Sequence, residues 1–163
     1  MAGAPRPSTR SNLNPGQPRV FQRNRTHAGL AAGLKAAGRN PRLARSHTVL
    51  APAEQAAATT LAKANATLDL VAPGTRLEPG AIDVDGAHRG ADYGIPTDAM
   101  REAVRLMART EGLLLDPVYS GKAFAGLLHD IRSGRYPAGS TVLYVMTGGV
   151  PGLFAYRGAF EDE

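Results

Sequence analysis

The chain has no cysteine and no tryptophan, and aromatic residues make up only 6% of it. Without cysteine, disulfide frameworks, thiolate metal sites, iron–sulfur clusters and thiol nucleophiles are excluded. No stretch approaches the roughly 18 consecutive apolar residues of a membrane helix, and the N-terminus lacks the apolar core of a signal peptide, so a cytoplasmic chain is expected. Acidic residues are missing from residues 1 to 53, which hold nine basic side chains. Residues 54 to 163 hold ten basic and fourteen acidic side chains, a net charge of −4. The overall +5 is therefore a property of the N-terminal third. What is present is 163 residues, 43% of them hydrophobic, enough for one domain with a real core.

Residues 1–25, MAGAPRPSTRSNLNPGQPRVFQRNR, are rich in Pro, Gly, Ser, Asn and Arg and poor in groups that can be buried. They are expected to be an unstructured leader. A basic arm can contact phosphate backbones, but this one has a single aromatic residue for stacking and no nucleic-acid-binding motif beside it. Nucleic-acid binding is thus the weaker alternative.

From there the signals alternate between helix and strand, the pattern of an α/β layer structure. Ala28 to Gly38 reads as a helix of small residues closed by glycine, and a strand is expected around Leu43 to Leu50. Pro52 opens an Ala-rich helix, and Ile82 to Val84 reads as a short strand. Thr97 is placed to cap DAMREAVRLMARTEG, whose acidic residues come early and whose basic residues come late, as the helix dipole favours. GKAFAGLLHDIRSG is a further amphipathic helix ending at Gly134, and Ser140 to Met146 is the clearest buried strand. That strand runs into Thr147-Gly148-Gly149, with Pro151 placed to start a last helix.

A strand followed by two glycines and a helix start either brings backbone N–H groups to a ligand or is simply a tight turn. His27, His47, His88 and His129 show no metal-ligand spacing, so no metal site is expected. No serine lies in the G-x-S-x-G context of a hydrolase. Tyr119 is either a general acid or base, or a packing residue with a surface hydroxyl.

The stretch EGLLLDPVYSGKAFAGLLHDIRSGRYPAGSTVLYVMTGGVPGLFAY, residues 111–156, closely resembles the C-terminal stretch of pyridoxal-phosphate-dependent D-cysteine desulfhydrases and 1-aminocyclopropane-1-carboxylate deaminases. The resemblance continues through YGIPTDAMREAVRLMARTEG and, more loosely, THAGLAAGLKAAG and ANATLDL, covering roughly residues 26 to 160. It implies part of a tryptophan-synthase-β-like fold (fold type II), an open α/β sheet flanked by helices. Residues 26–163 would be the C-terminal part of an enzyme that releases ammonia from a small amino acid, and a homo-oligomer is possible by the same resemblance. It also implies catalytic roles for Tyr93 and Tyr119, the tyrosines that face substrate and cofactor. Ser120 falls where the family places a group against the pyridine nitrogen, and Thr147, Gly148 and Gly149 match the turn over the cofactor ring. The deaminases carry glutamate at the position of Ser120 and the desulfhydrases threonine, so a neutral hydroxyl favours desulfhydrase-like β-elimination.

Two departures qualify this. The family's phosphate loop, G-S-G-G-T-x-A-G, corresponds to Gln22 to Gly29, where Thr26 and Gly29 remain as cofactor-binding candidates while Arg23, Asn24 and Arg25 stand in place of its Ser-Gly-Gly. The lysine that binds the cofactor aldehyde, in an N-terminal domain of the family, has no counterpart in context among Lys35, Lys63 and Lys122. The expectation is a truncated or frame-shifted gene product, inactive alone and dependent on a partner chain. A non-catalytic cofactor-binding or oligomerising remnant is the other reading.

Overall fold

The computed structural model describes residues 19–22, 24–47 and 51–161. Along the chain run β1 (Arg19–Gln22), α1 (Asn24–Ala36), β2 (Ala44–His47), α2 (Ala53–Val71), β3 (Asp83–Asp85), α3 (Asp98–Glu111), α4 (Ser120–Arg132), β4 (Val142–Tyr144) and α5 (Pro151–Phe154). The strands form one sheet in the order β3-β2-β1-β4, and every neighbouring pair is parallel. Parallel neighbours cannot be joined by tight hairpins, so every connection crosses through at least one helix. The order steps outward from β1 to β3 and then returns to the far side of β1. That reversal makes the C-terminal ends of β1 and β4 a topological switch point, where open α/β sheets bind ligands.

The helices follow their local signals. Thr97 Oγ1 accepts the Met100 N–H at 3.2 Å at the start of α3, and Gly112, at φ 67°, ends it. Pro52 caps α2, and α4 stops just before Gly134. No described helix is long and apolar enough to cross a membrane.

Two expectations need correction. Residues 19–22 fall within the stretch read as an unstructured leader, yet they form β1, between β2 and β4. The two strand pairings there depend on backbone hydrogen bonding, which side-chain composition does not report. The α/β unit therefore includes Arg19–Gln22, and α1 starts at Asn24, four residues before the expected Ala28. The rest of the leader, residues 1–18, lies outside the described residues. Two arginines of the basic N-terminal third are part of the fold. Arg42 donates to the Gly80 carbonyl at 2.6 Å, and Arg45 is a buried core residue.

Strand β2 sorts its side chains to two different faces, as period-2 alternation requires. Ala44 and Ser46 meet α1, where buried His27 places Nε2 3.1 Å from the Ala44 carbonyl and Nδ1 2.9 Å from Ser46 Oγ. A carbonyl only accepts, so Nε2 carries the proton and the neutral ring accepts from Ser46 at Nδ1. This side is completed by an alanine-rich core, with Ala28, Ala31, Ala32, Ala64 and Leu68 letting α1 and α2 pack closely. On the opposite face Arg45 and His47 meet α4. Arg45 Nη1 and Nη2 donate to Asp83 (2.5 Å) and Asp85 (2.9 Å), while Nε lies 2.9 Å from Asp130 on α4, at an angle short of a hydrogen bond. A second apolar cluster, Met100, Val104, Met107 and Leu115, ties α3 into the same side.

Burial lowers His27 to about 4 and His47 to about 3, against an ordinary value near 6.5; for His47 the nearby Asp85 carboxylate only partly offsets this. Both bind protons more weakly folded than unfolded, so their stabilisation is complete above pH 6.5 and is lost as pH falls towards 4. His27 alone is expected to cost about 2 kcal/mol between pH 7 and pH 5. Urea denaturation at the two pH values checks this, and a stability unchanged over that interval contradicts the buried neutral ring.

Candidate active site

Asp116 is the starting point. Leu115 is buried under α3, and the chain then turns at Asp116-Pro117 into α4, which has no acidic residue in its own first turn. The Asp116 carboxylate, itself buried, fills that role from outside. Oδ1 accepts the N–H groups of Val118 (3.0 Å) and Tyr119 (2.6 Å), and Oδ2 accepts the Ser120 N–H at 2.9 Å. An anion at this end also meets the positive pole of the helix. Ser120 Oγ donates to Oδ2 at 2.6 Å and accepts the Asp116 N–H at 2.8 Å.

Beyond β4 the backbone passes through Gly148 (φ 111°) and Gly149 (φ 105°), conformations that side chains disfavour. A Cβ on Gly149 would lie 2.7 Å from Asp116 Oδ2, so the 147–149 turn reaches the same carboxylate only because that residue is glycine. Between the turn and α4 is a small pocket lined by Ser120, Ala123, Tyr144, Val145, Met146, Thr147 and Gly148. The Tyr144 hydroxyl donates to the Ser120 carbonyl at 2.8 Å, and burial raises its pKa far above the usual phenol range.

Tyr119, directly before α4, is half-buried and hydrogen-bonded through its hydroxyl to that of Tyr93; the ring centroids are 5.8 Å apart. Tyr93 arrives on the 86–97 loop, which Lys122 holds from below. The buried Lys122 Nζ donates to the Arg89 carbonyl at 2.6 Å and lies 3.4 Å from that of Asp92. Desolvation lowers its pKa and the Arg89 charge adds to this, with Asp92 opposing. Lys122 thus works as a strap for the loop.

The structure brings Tyr93, Tyr119, Ser120 and Thr147–Gly149 to one region. Thr26 and Gly29 are on α1, which leaves the switch point beside β4; Thr26 is half-buried and Gly29 exposed. Only Arg23 separates β1 from α1, so no glycine loop intervenes there. Lys35 and Lys63 are exposed on α1 and α2. The Ser120 hydroxyl and the 147–148 backbone that line the pocket fit one wall of a pyridoxal-phosphate site. They do not fit the anchor, because no lysine among the described residues offers an available amine to the pocket.

The sequence reading missed Asp116, whose D-P-x-x-S spacing is a turn-and-cap signal. It also missed the cluster of His47, His88 and His129, residues far apart in the chain that the crossovers bring together.

The sequence model of the pyridoxal-phosphate-dependent enzyme family matches residues 24–148. The chain belongs to that family. A 1-aminocyclopropane-1-carboxylate deaminase of Pseudomonas syringae pv. syringae (strain B728a) is 41% identical over 137 residues, covering 84% of this chain and 40% of the relative. Its counterpart in Ralstonia pickettii (strain 12J) is 39% identical over the same shares. A crystal structure of an ACC deaminase homologue superposes with a TM-score of 0.73 at 26% identity, over 93% of this chain and 45% of that one. The chain therefore spans about two fifths of the length of the curated relatives it matches.

Replacing Asp116 by Asn presents an amide where Oδ2 now accepts two donors, and is expected to cost roughly 2 to 3 kcal/mol. Urea denaturation checks this. The fully exposed Asp98→Asn is the control, expected to change little; equal effects at the two positions contradict the capping role.

Proposed function

We propose that this chain forms the ring-facing part of a pyridoxal-phosphate site in an enzyme that releases ammonia from a small amino acid, and that Ser120 suits it to D-cysteine-type β-elimination. The observation that carries this reading is the convergence of Ser120, the Tyr93–Tyr119 pair and the 147–149 turn at the switch point of the sheet. The deaminase names of the relatives support ammonia release. When bound, the cofactor supplies the electron sink for bond cleavage at the substrate's α or β carbon.

The chain's own residues supply positioning and proton handling. Ser120 presents a neutral hydroxyl whose proton is already donated to Asp116, so it adds no negative charge beside a pyridine nitrogen. An unprotonated ring is a weaker sink, which is adequate for expelling a good leaving group such as a thiolate. Tyr119 and Tyr93 share a hydrogen bond, with Tyr93 nearly half exposed, so a proton taken at the inner phenol has a path towards solvent. Thr147–Gly149 close the pocket next to Ser120. The aldehyde-binding lysine comes, in this reading, from sequence outside these 163 residues, and the chain alone does not turn over substrate. Exposed Leu143 on edge strand β4 and Phe154 on α5 are apolar surface that such a segment or a second chain can cover.

Adding pyridoxal phosphate and then borohydride to the purified chain is expected to give no stoichiometric adduct at Lys35, Lys63 or Lys122, and no pyruvate from D-cysteine. A stoichiometric adduct at one of them together with pyruvate overturns the claim of inactivity alone. With the lysine-bearing segment of a deaminase relative supplied by co-expression, sulfide release from D-cysteine is expected to exceed ammonia release from 1-aminocyclopropane-1-carboxylate. Ser120→Glu is expected to shift that ratio by about tenfold or more towards the cyclic substrate. A ratio unmoved by this change removes Ser120 as the determinant.

A further inference from the structure

We propose that His47, Asp85 and His88 form a binding site for a divalent transition-metal ion, separate from the cofactor-facing wall. His47 ends β2, Asp85 ends β3 in direct register with it, and His88 follows in the next turn. One ligand atom from each lies within 4.8 Å of the other two, with His47 Nδ1 3.6 Å and His88 Nδ1 4.0 Å from Asp85 Oδ2. Ligands on a tetrahedral zinc ion are about 3.3 Å apart, a distance small side-chain rotations reach from here.

Three further observations support a built site. The His47 ring lies directly over Gly126 of α4, where any Cβ would occupy the same space; the glycine makes room for the imidazole. His88 Nδ1 is buried and makes no hydrogen bond among the described residues. The surrounding charges are Asp83, Asp85 and Asp130 against the guanidiniums of Arg45 and Arg135, which leaves one negative charge for a cation to balance. Exposed His129, its ring 5.1 Å from that of His88, gives the site an opening to solvent. Two imidazoles and one carboxylate are borderline ligands, matched to Zn²⁺, Co²⁺ or Ni²⁺ and poorly to Ca²⁺ or Mg²⁺. An ion there joins β2 and β3 to the start of the loop that continues to Tyr93.

The test uses the full chain after chelator treatment. Zn²⁺ affinity is measured by competition with a chromophoric chelator, and Co²⁺ is added to follow its visible ligand-field bands. The expected result is one equivalent bound, with cobalt bands of a nitrogen- and oxygen-ligated ion. His88→Gln, at a half-buried position, is expected to weaken binding at least tenfold, since losing even an outer partner of a ligand costs about that much. His47 is packed on Gly126 and its variants can misfold, so the second measure is made on the unmutated chain: cobalt-shifted imidazole resonances, expected from two histidines. The absence of one-equivalent binding, affinity unchanged in His88→Gln, or shifted resonances belonging to His27 would overturn the proposal.

Discussion

The carboxylate of Asp116 is the constraint on which the rest of the site depends. A buried anion needs donors on every side, and this one takes them from the first turn of α4 and from the Ser120 hydroxyl. Satisfying Asp116 therefore fixes where α4 begins, which fixes Tyr119 and Ser120. It also requires glycine at position 149, because a larger residue would displace the turn that closes the pocket. One buried charge thus sets the relative positions of three segments. Lys122 does the same for the fourth, holding the 86–97 loop by two carbonyls and with it Tyr93.

The sheet beneath has a comparable centre in Arg45. Its guanidinium links β2, β3 and α4 through three carboxylates, so the layer between sheet and helix is polar where an α/β interior is usually apolar. Buried ion pairs are weak evidence for net stability but strong constraints on arrangement, because breaking one leaves a charge without compensation. Strand β2 accordingly carries an arginine and a histidine into the interior and still sits inside the sheet.

Much of this was legible in the sequence. The helix signals at Thr97, Pro52 and Gly134 marked real boundaries because capping and chain-breaking chemistry is local. Strand β4 announced itself through a continuous apolar run, but the expected buried strand over Ser140 to Met146 is a three-residue edge strand, Val142–Tyr144, with Leu143 exposed, because it pairs on one side only. Strand β1 did not, because its place depends on backbone pairing with β2 and β4, and its surroundings are rich in arginine, asparagine and proline. Tyr93, Tyr119, Ser120 and the 147–149 turn were named from the family resemblance, and the fold brings them together. The strap made by Lys122 and the histidine cluster were not legible, because they arise from contacts between residues distant in the chain. Asp116 had a local signal in its D-P-x-x-S spacing, but its burial, which makes it a constraint, is not encoded in spacing.

In the proposed reading the cofactor-facing chemistry lies at the C-terminal ends of β1 and β4, with the amine anchor elsewhere. The most direct measurement is a titration of the isotope-labelled chain with pyridoxal phosphate, followed by backbone amide chemical shifts. The account predicts that the perturbed amides cluster at residues 24–26, Ser120 and Thr147–Gly149. Perturbations confined to the exposed lysines Lys35 and Lys63, with those amides unmoved, would contradict it.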